Sequence, residues 1–479
     1  MKAALYRIHR WLGMSLGILV TLWFTSGFIM MYVGFPYLST TERLAGLPDL
    51  PSHGWTVSPA RALAASGQTV APVRIRLGDF LGWPVYHLRP ADGSPWVTVT
   101  ADDGRVLPPV SDSDAVQQAM RFHRDAPDAR HDGLIHLDQW TVPQSLEPYR
   151  PLHRIRINDR AGTVLYVSAR TGEVVRDTAR TERFLNWFGA VTHWIYPAWL
   201  RQHTGAWRLT IQILSGTAFL LPLSGLCMGF RRARTAWRQL RGIRRWHILL
   251  GTVFGFLCMS WLASGFLSIR STWLFDDGEP TQDQHQKFAG GALDARGFTR
   301  SIPDLLRSFS SSPAKEAELL WVVGRPYVLV RGTSAVPSLL PGDKPGAPPT
   351  VPDVRELETR ARQLLPDDPW MGLVWLTDPD AHLASTETNP LPIGRARFGD
   401  PQETWFHIDP TSGRLTERLT RRSRAYRWLF NGVHNFDWPW LASRRPLWDG
   451  VVLMGLTGGL ATSLLGLRLA WKRVRSLRP

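Results

Sequence analysis

Apolar and polar positions divide the chain into a few long apolar blocks separated by mixed stretches. Trp11 to Val33, Ile248 to Ile269 and Val451 to Trp471 are uncharged or nearly so, and each matches the roughly 20 residues that cross a hydrocarbon core. A fourth block, Leu209 to Phe230, carries Pro222 but no charge. The pattern predicts four membrane-spanning helices.

The mixed stretches have a shorter period. Val73 to Leu77, Pro84 to Leu88, Trp96 to Thr100 and Val164 to Val167 are β-rich runs between turn residues. Trp96 to Val106 reads as a hairpin turning at Asp103 and Gly104, and Ala115 to Phe122 as a helix. The second stretch follows suit: Leu320 to Val323 and Tyr327 to Val330 flank Gly324, a helix falls near Val354 to Leu365, and a hairpin runs from Phe406 to Leu415. Pro337, Pro341, Pro345, Pro348, Pro349 and Pro352 mark a linker.

The two halves resemble each other. An offset of 238 sets His9, Gly13, Gly17, Trp23, Ser26, Gly27 and Phe28 on His247, Gly251, Gly255, Trp261, Ser264, Gly265 and Phe266. An offset of 241 sets Gly172, Arg180, Arg183, Trp187, His193, Trp199, Leu200, Trp207, Gly225 and Leu226 on Gly413, Arg421, Arg424, Trp428, His434, Trp440, Leu441, Trp448, Gly466 and Leu467. The unit is span, outer lobe, interfacial helix, span, used twice. The expected fold is an integral-membrane four-helix bundle of two parallel repeats with two α+β lobes. Its segments are span 1–33, lobe 34–182, interfacial helix 183–206, span 207–230, basic loop 231–246, span 247–270, lobe 271–423, interfacial helix 424–447, span 448–471 and tail 472–479.

Charge then fixes an expected orientation. Of the formal +16, much sits in three clusters: Lys2, Arg7 and Arg10; Arg231, Arg232, Arg234, Arg238, Arg241, Arg244 and Arg245; and Lys472, Arg473, Arg475 and Arg478. By the positive-inside tendency these face the cytoplasm, so both lobes are expected on the opposite side of the membrane. The first span is too long for a cleaved signal and is read as retained. Cys227 and Cys258, the two cysteines, fall within spans, so the lobes are not disulfide scaffolds. No P-loop, dinucleotide fingerprint, Ser-His-Asp order or zinc-protease helix occurs, which argues against hydrolysis and nucleotide-driven pumping, and no nucleic-acid partner is expected.

Of fourteen histidines, only His9 with His247 and His193 with His434 match across the halves. One pair begins spans one and three; the other precedes spans two and four. A lone histidine at a membrane boundary is ordinarily a headgroup contact, but two matched pairs at two depths suit the two axial ligands of a b-type haem at each level. Two haems b are therefore expected. Gly13 lies one turn above His9, and Gly251 one turn above His247, where a flat porphyrin can approach the backbone; glycines four apart also serve plain helix packing. Trp23 and Trp261, about 21 Å along each helix from the inner histidines, suit an aromatic belt or a stepping stone for electrons. Arg10 and Arg245 beside the inner pair, with Arg244, are candidates for haem propionates, as are Arg201 and Arg208 outside, although topology already explains the first three. His123, His131 and His136 match no established metal-ligand spacing and are read as ordinary histidines.

Tyr6-Arg-Ile-His-Arg-Trp-Leu-Gly13, Gln139-Trp-Thr-Val142, Arg150-Pro-Leu152, Leu165-Tyr-Val-Ser168, Thr171-Gly-Glu-Val174 and Trp187-Phe-Gly-Ala-Val-Thr-His-Trp194 together resemble the PepSY-associated transmembrane family. Its members include FoxB-like ferric-siderophore reductases and PiuB-like iron-uptake proteins. The resemblance implies periplasmic PepSY-like lobes and haem ligation by His9, His193, His247 and His434. The implied function is outward electron transfer from a cytoplasmic or membrane donor to a ferric siderophore in the periplasm, reducing Fe(III) to Fe(II). Two other readings compete: a non-enzymatic scaffold whose lobes bind a periplasmic protein, and an iron or siderophore permease. Spans without acidic residues disfavour the permease.

Overall fold

The computed structural model describes residues 2–51, 53–239, 241–269, 274–276, 278–309, 313–333, 336–383 and 391–476. Arg478 of the basic tail lies outside these described residues. Four helices are long and apolar enough to cross a membrane: α1 (Lys2–Met30), α2 (Thr204–Gln239), α3 (Gly242–Ser268) and α4 (Arg445–Arg475). They form a ring in which α1 packs on α4 and α2, and α3 on α2 and α4. Lipid gives apolar helices little hydrophobic reason to associate, so close fit has to hold them, and small residues supply it. A Cβ at Gly459 would collide with the ring of Phe24, and one at Gly458 with Phe254. Val20, Phe24, Ala218, Cys258, Leu262, Val452 and Leu456 fill the centre, whereas Ile18, Val253, Phe256 and Met454 point outward and suit a lipid surround.

The remaining segments build three antiparallel sheets from β1 (Pro72–Phe80), β2 (Trp83–Pro90), β3 (Val97–Thr100), β4 (Ala129–Ile135), β5 (Leu152–Ile157), β6 (Val164–Ser168), β7 (Val174–Thr178), β8 (Glu316–Val322), β9 (Arg325–Arg331), β10 (Ser338–Pro341), β11 (Trp370–Leu376), β12 (Ile393–Phe398), β13 (Trp405–Asp409) and β14 (Arg414–Leu419). Two sheets are local meanders, β4-β5-β6-β7 and β11-β12-β13-β14. The third has the order β10-β9-β8-β1-β2-β3 and draws half its strands from each stretch.

The two stretches are therefore not independent modules. Alone, β1 and β8 would each leave an unpaired apolar edge, and pairing them removes both edges at once. Ile75 lies opposite Leu319, Arg76 opposite Glu318 and Leu77 opposite Ala317. An offset of 242 maps each of these strand positions onto the other, so the seam is locally two-fold symmetric about Arg76 and Glu318. The proline run read as a linker supplies β10, whose Leu339 and Leu340 are buried; as an edge strand it tolerates Pro341 at its end.

The segments expected as single interfacial helices are broken. The first comprises Arg180–Phe188, Ala190–His193 and Ala198–Arg201. Gly189 makes the first break: it lies so close to α1 that a Cβ there would meet Ile29 Cγ2 at 2.9 Å. The second segment holds a helix Arg421–Tyr426, a π-helical turn Arg427–Gly432 and a short helix Pro439–Ala442. Both breaks fold the chain back over the bundle and carry one histidine each.

Candidate functional site

The fold brings the four matched histidines together in the pairs the repeat suggests. The rings of His9 on α1 and His247 on α3 have centroids 6.2 Å apart, and those of His193 and His434 are 6.1 Å apart. Among the described residues no hydrogen bond joins the two rings of either pair. An imidazole nitrogen binds a metal at about 2.0 Å and lies roughly 1.1 Å from its ring centroid, so two imidazoles on opposite sides of one metal hold centroids about 6.2 Å apart. Both pairs have that spacing.

Hydrogen bonds set the tautomer of all four rings. Nδ1 of His9 lies 3.0 Å from the Leu221 carbonyl, and Nδ1 of His247 lies 3.1 Å from that of Thr462. A carbonyl only accepts, so each Nδ1 carries the proton. In the other pair, Ser26 Oγ donates to the Trp23 carbonyl and is therefore left to accept from His193 Nδ1 at 2.9 Å. Ser264 Oγ likewise donates to the Ser260 carbonyl and accepts from His434 Nδ1 at 3.0 Å. Every Nε2 is left with its lone pair, the state an imidazole needs to bind a metal.

Further contacts match across the halves. The indole of Trp23 donates to the His193 carbonyl, and that of Trp261 to the His434 carbonyl, each at 2.9 Å. Trp207 and Trp448 donate one residue further on, to the carbonyls of Trp194 and Asn435. Trp23 and Trp261 thus position the backbone that carries the histidines. Two residues past each histidine, Ile195 and Phe436 adopt φ values of 47° and 51°. Such backbone costs a bulky residue about 1–3 kcal/mol, and it persists here because packing on both sides over-determines the turn.

A cavity of about 610 Å³ surrounds the His9–His247 pair. Gly13, Gly17, Gly251 and Gly255 line it, as do Gly225 and Gly466, which abut the rings themselves. A Cβ at Gly225 would stand 3.0 Å from His9 Cε1, and one at Gly466 3.1 Å from His247 Cε1. Arg10, Arg232, Arg244 and Arg473 border the cavity near the helix ends. Nε of Arg10 is buried without a partner among the described residues. Arg245 instead lies over the ring of Trp237, 4.5 Å from its centroid. Arg201 is buried between Tyr196 and Trp207, and its Nη1 donates to Thr204 Oγ1. Between the pairs lies an apolar core in which Phe24, Trp261 and Phe436 make successive ring contacts at 5.8 Å.

Several of these residues escaped the sequence reading. Ser26, Ser264, Gly225 and Gly466 were visible as matched positions, but nothing local tells a helix-interior serine bonded to its own backbone from one that also receives an imidazole. Arg232 and Arg473, matched at an offset of 241, looked like ordinary topology determinants. No protein-family model matches the chain, and no curated protein does.

Proposed function

We propose that the chain is a di-haem b-type electron-transfer protein of the bacterial inner membrane, a member of the PepSY-associated transmembrane family built from two parallel repeats. In this reading the termini and the basic loop are cytoplasmic, both lobes are periplasmic, and electrons from a cytoplasmic or membrane donor reduce a ferric siderophore outside. The observation that carries it is the double coincidence at the histidines: two matched pairs, each at the spacing of a shared metal, each ring with Nδ1 protonated and Nε2 free.

The residues present fit a b-type haem. His9 and His247 would hold one through iron, and His193 and His434 the other. Gly13, Gly251, Gly225 and Gly466 leave room for a flat ring, and Arg10, Arg232, Arg244 and Arg473 would pair its propionates. Bound haem supplies one-electron Fe(III)/Fe(II) chemistry. The chain's own part is to orient the imidazoles through Ser26, Ser264, Leu221 and Thr462 and to keep water from the space between the pairs. Trp23 and Trp261 hold the turns that carry the outer pair. Siderophores hold Fe(II) far more weakly than Fe(III), so reduction frees the iron.

Protein purified from haem-sufficient cells should be red, with a Soret band that sharpens on dithionite and reverts on adding a ferric siderophore. His9→Ala should lower haem content by one equivalent, and His193→Ala should remove the other. A colourless preparation would support the scaffold reading, and unchanged haem content in both variants would refute the pairing.

A further inference from the structure

A second group of imidazoles lies away from the bundle, on the β4–β7 sheet. His131 on the edge strand β4 pairs with Ile155, and His153 sits two residues before Ile155 on β5, so both side chains share a face. The register shifts between His131 and Leu134, where Gly133 takes φ 127°. Asp112 opens the helix Asp112–Phe122 that covers this face. The structure brings His131 and His153 together with Asp112; His136 is not part of the group.

We propose that Asp112, His131 and His153 form a binding site for a divalent first-row transition-metal ion. His153 Nε2 donates to the Val110 carbonyl at 2.9 Å, so Nδ1 carries a lone pair. That Nδ1 is 3.1 Å from His131 Nε2, and Asp112 Oδ1 is 3.4 Å from both. A point about 2.05 Å from all three atoms sees them at angles of about 100–110°, the tetrahedral arrangement that zinc-like ions take from imidazole and carboxylate. A hydrogen bond between the imidazoles accounts for the 3.1 Å contact but leaves the Asp112 carboxylate facing the His153 lone pair, whereas a cation satisfies all three. The carbonyl partner of His153 is the outer contact that metal-bound histidines ordinarily make. Access is suitable too: His153 is 2% exposed, His131 20% and Asp112 68%, so the site opens to solvent along the carboxylate and leaves a fourth position for water.

The other half shows that the sheet does not need these side chains. Ala129 opposite Ile157 corresponds to Trp370 opposite Phe398 at an offset of 241. The same offset puts Gly372 in place of His131, Gly394 in place of His153 and Asp353 in place of Asp112. Asp353 caps its helix by accepting from the Arg355 amide, and Trp375 packs over Gly394. The fold stands with glycine at both histidine positions, so the imidazoles serve something other than the sheet. The proposal is independent of the redox reading.

The test uses the full-length protein, stripped with chelator, dialysed against micromolar free zinc and assayed by elemental analysis. Wild type should retain one zinc that His131→Ala lacks, and Asp112→Asn should bind it at least tenfold more weakly. Zinc should raise the melting temperature of wild type and not of His131→Ala. Should the alanine variant fold poorly without metal, Asp112→Asn decides. Absence of zinc in wild type, or equal zinc in wild type and in a folded variant, overturns the proposal whatever the haem content.

Discussion

Arg76 and Glu318 face each other across the seam of the six-stranded sheet; each has an oppositely charged partner from its own half, and Glu318 takes a second, Arg74, from across the seam. Arg76 donates to Glu173 at 2.6 Å, and Glu318 accepts from Arg414 and Arg74, each at 2.8 Å. Glu173 and Arg414 are themselves 241 residues apart, so the two ion pairs occupy matched places with their signs exchanged. Identical residues in both halves would set arginine against arginine at the centre of the seam, which is destabilising. Exchanging the signs makes the seam attractive. Burial pushes the Glu318 carboxyl up, but Arg414 and Arg74 outweigh it and hold it far below the usual range.

Arg76→Met removes one partner and leaves Glu173 buried and unpaired, a change that costs about 3–5 kcal/mol in comparable settings. Removing both partners in Arg76→Met/Glu173→Leu should recover most of that loss, since the double variant leaves no orphaned charge. Thermal melts of the detergent-solubilised chain check the order: wild type and double variant close together, single variant well below. A double variant no better than the single one would show that the ion pair does not act as a unit.

Ser26→Ala and Ser264→Ala each remove the hydroxyl that receives an Nδ1 proton while keeping helix geometry. If His193 and His434 hold haem, losing this contact should weaken retention by about 10–100-fold. The measurement is the rate at which an added haem-binding protein strips haem from each variant. The inner pair, with carbonyl acceptors, should be untouched; equal rates in wild type and variants would remove these serines from the site.

The four spans were legible because each is an apolar run, uncharged apart from Arg468 near the end of the last, long enough to cross a bilayer. The short strands were legible from turn residues such as Gly324 and from alternation. The joining of β1 to β8 was not: it links residues about 240 positions apart, and neither strand carries a local mark of its partner. The breaks at Gly189 and Ile195 were hidden for a related reason, since the first depends on how near Ile29 comes and the second on packing that outweighs backbone preference. At the candidate site, repetition singled out the histidines. The distances between rings, and the carbonyls of Leu221 and Thr462, belong to helix packing and have no signature in residue type.

Gly225 tests the inner pair sterically. A Cβ there already stands 3.0 Å from His9 Cε1, tighter than ordinary contact, so Gly225→Val must push the imidazole aside. Haem content should fall by one equivalent, while Gly205→Val, where a Cβ meets nothing within 4 Å, should leave it unchanged. If Gly225→Val keeps full haem content, the His9 ring is not fixed where the ligand role requires.

His87 gives the lobes a dependence on acidity whose sign follows from its surroundings. It lies on β2 opposite Arg76, is 1% exposed, and its Nδ1 donates to Thr98 Oγ at 3.0 Å while Thr98 donates to the Arg170 carbonyl. Nε2 is buried without a partner among the described residues, so a second proton would find no acceptor there. Burial pushes the imidazole down to about 4, against a lift from Glu173. The unfolded chain binds this proton near pH 6.5, so stability is fully present above that value and drains away as pH falls toward 4, by up to about 3 kcal/mol. Asp177, which burial pushes up to about 6, gains stability over the same fall, so the wild-type slope alone does not isolate His87. Burial pushes the Glu173 carboxyl up but Arg76 outweighs it and holds it down to about 2, so its stabilising contribution is complete through this range and is lost only as pH falls below the ordinary carboxylate range. His87→Gln keeps a donor for Thr98 and cannot take the proton. Melting temperatures at about pH 7.5, 5.5 and 4.5 should converge for the two proteins toward the acid end, the wild type losing the larger share. Parallel curves would mean that His87 binds its proton as readily in the folded lobe as in the open chain.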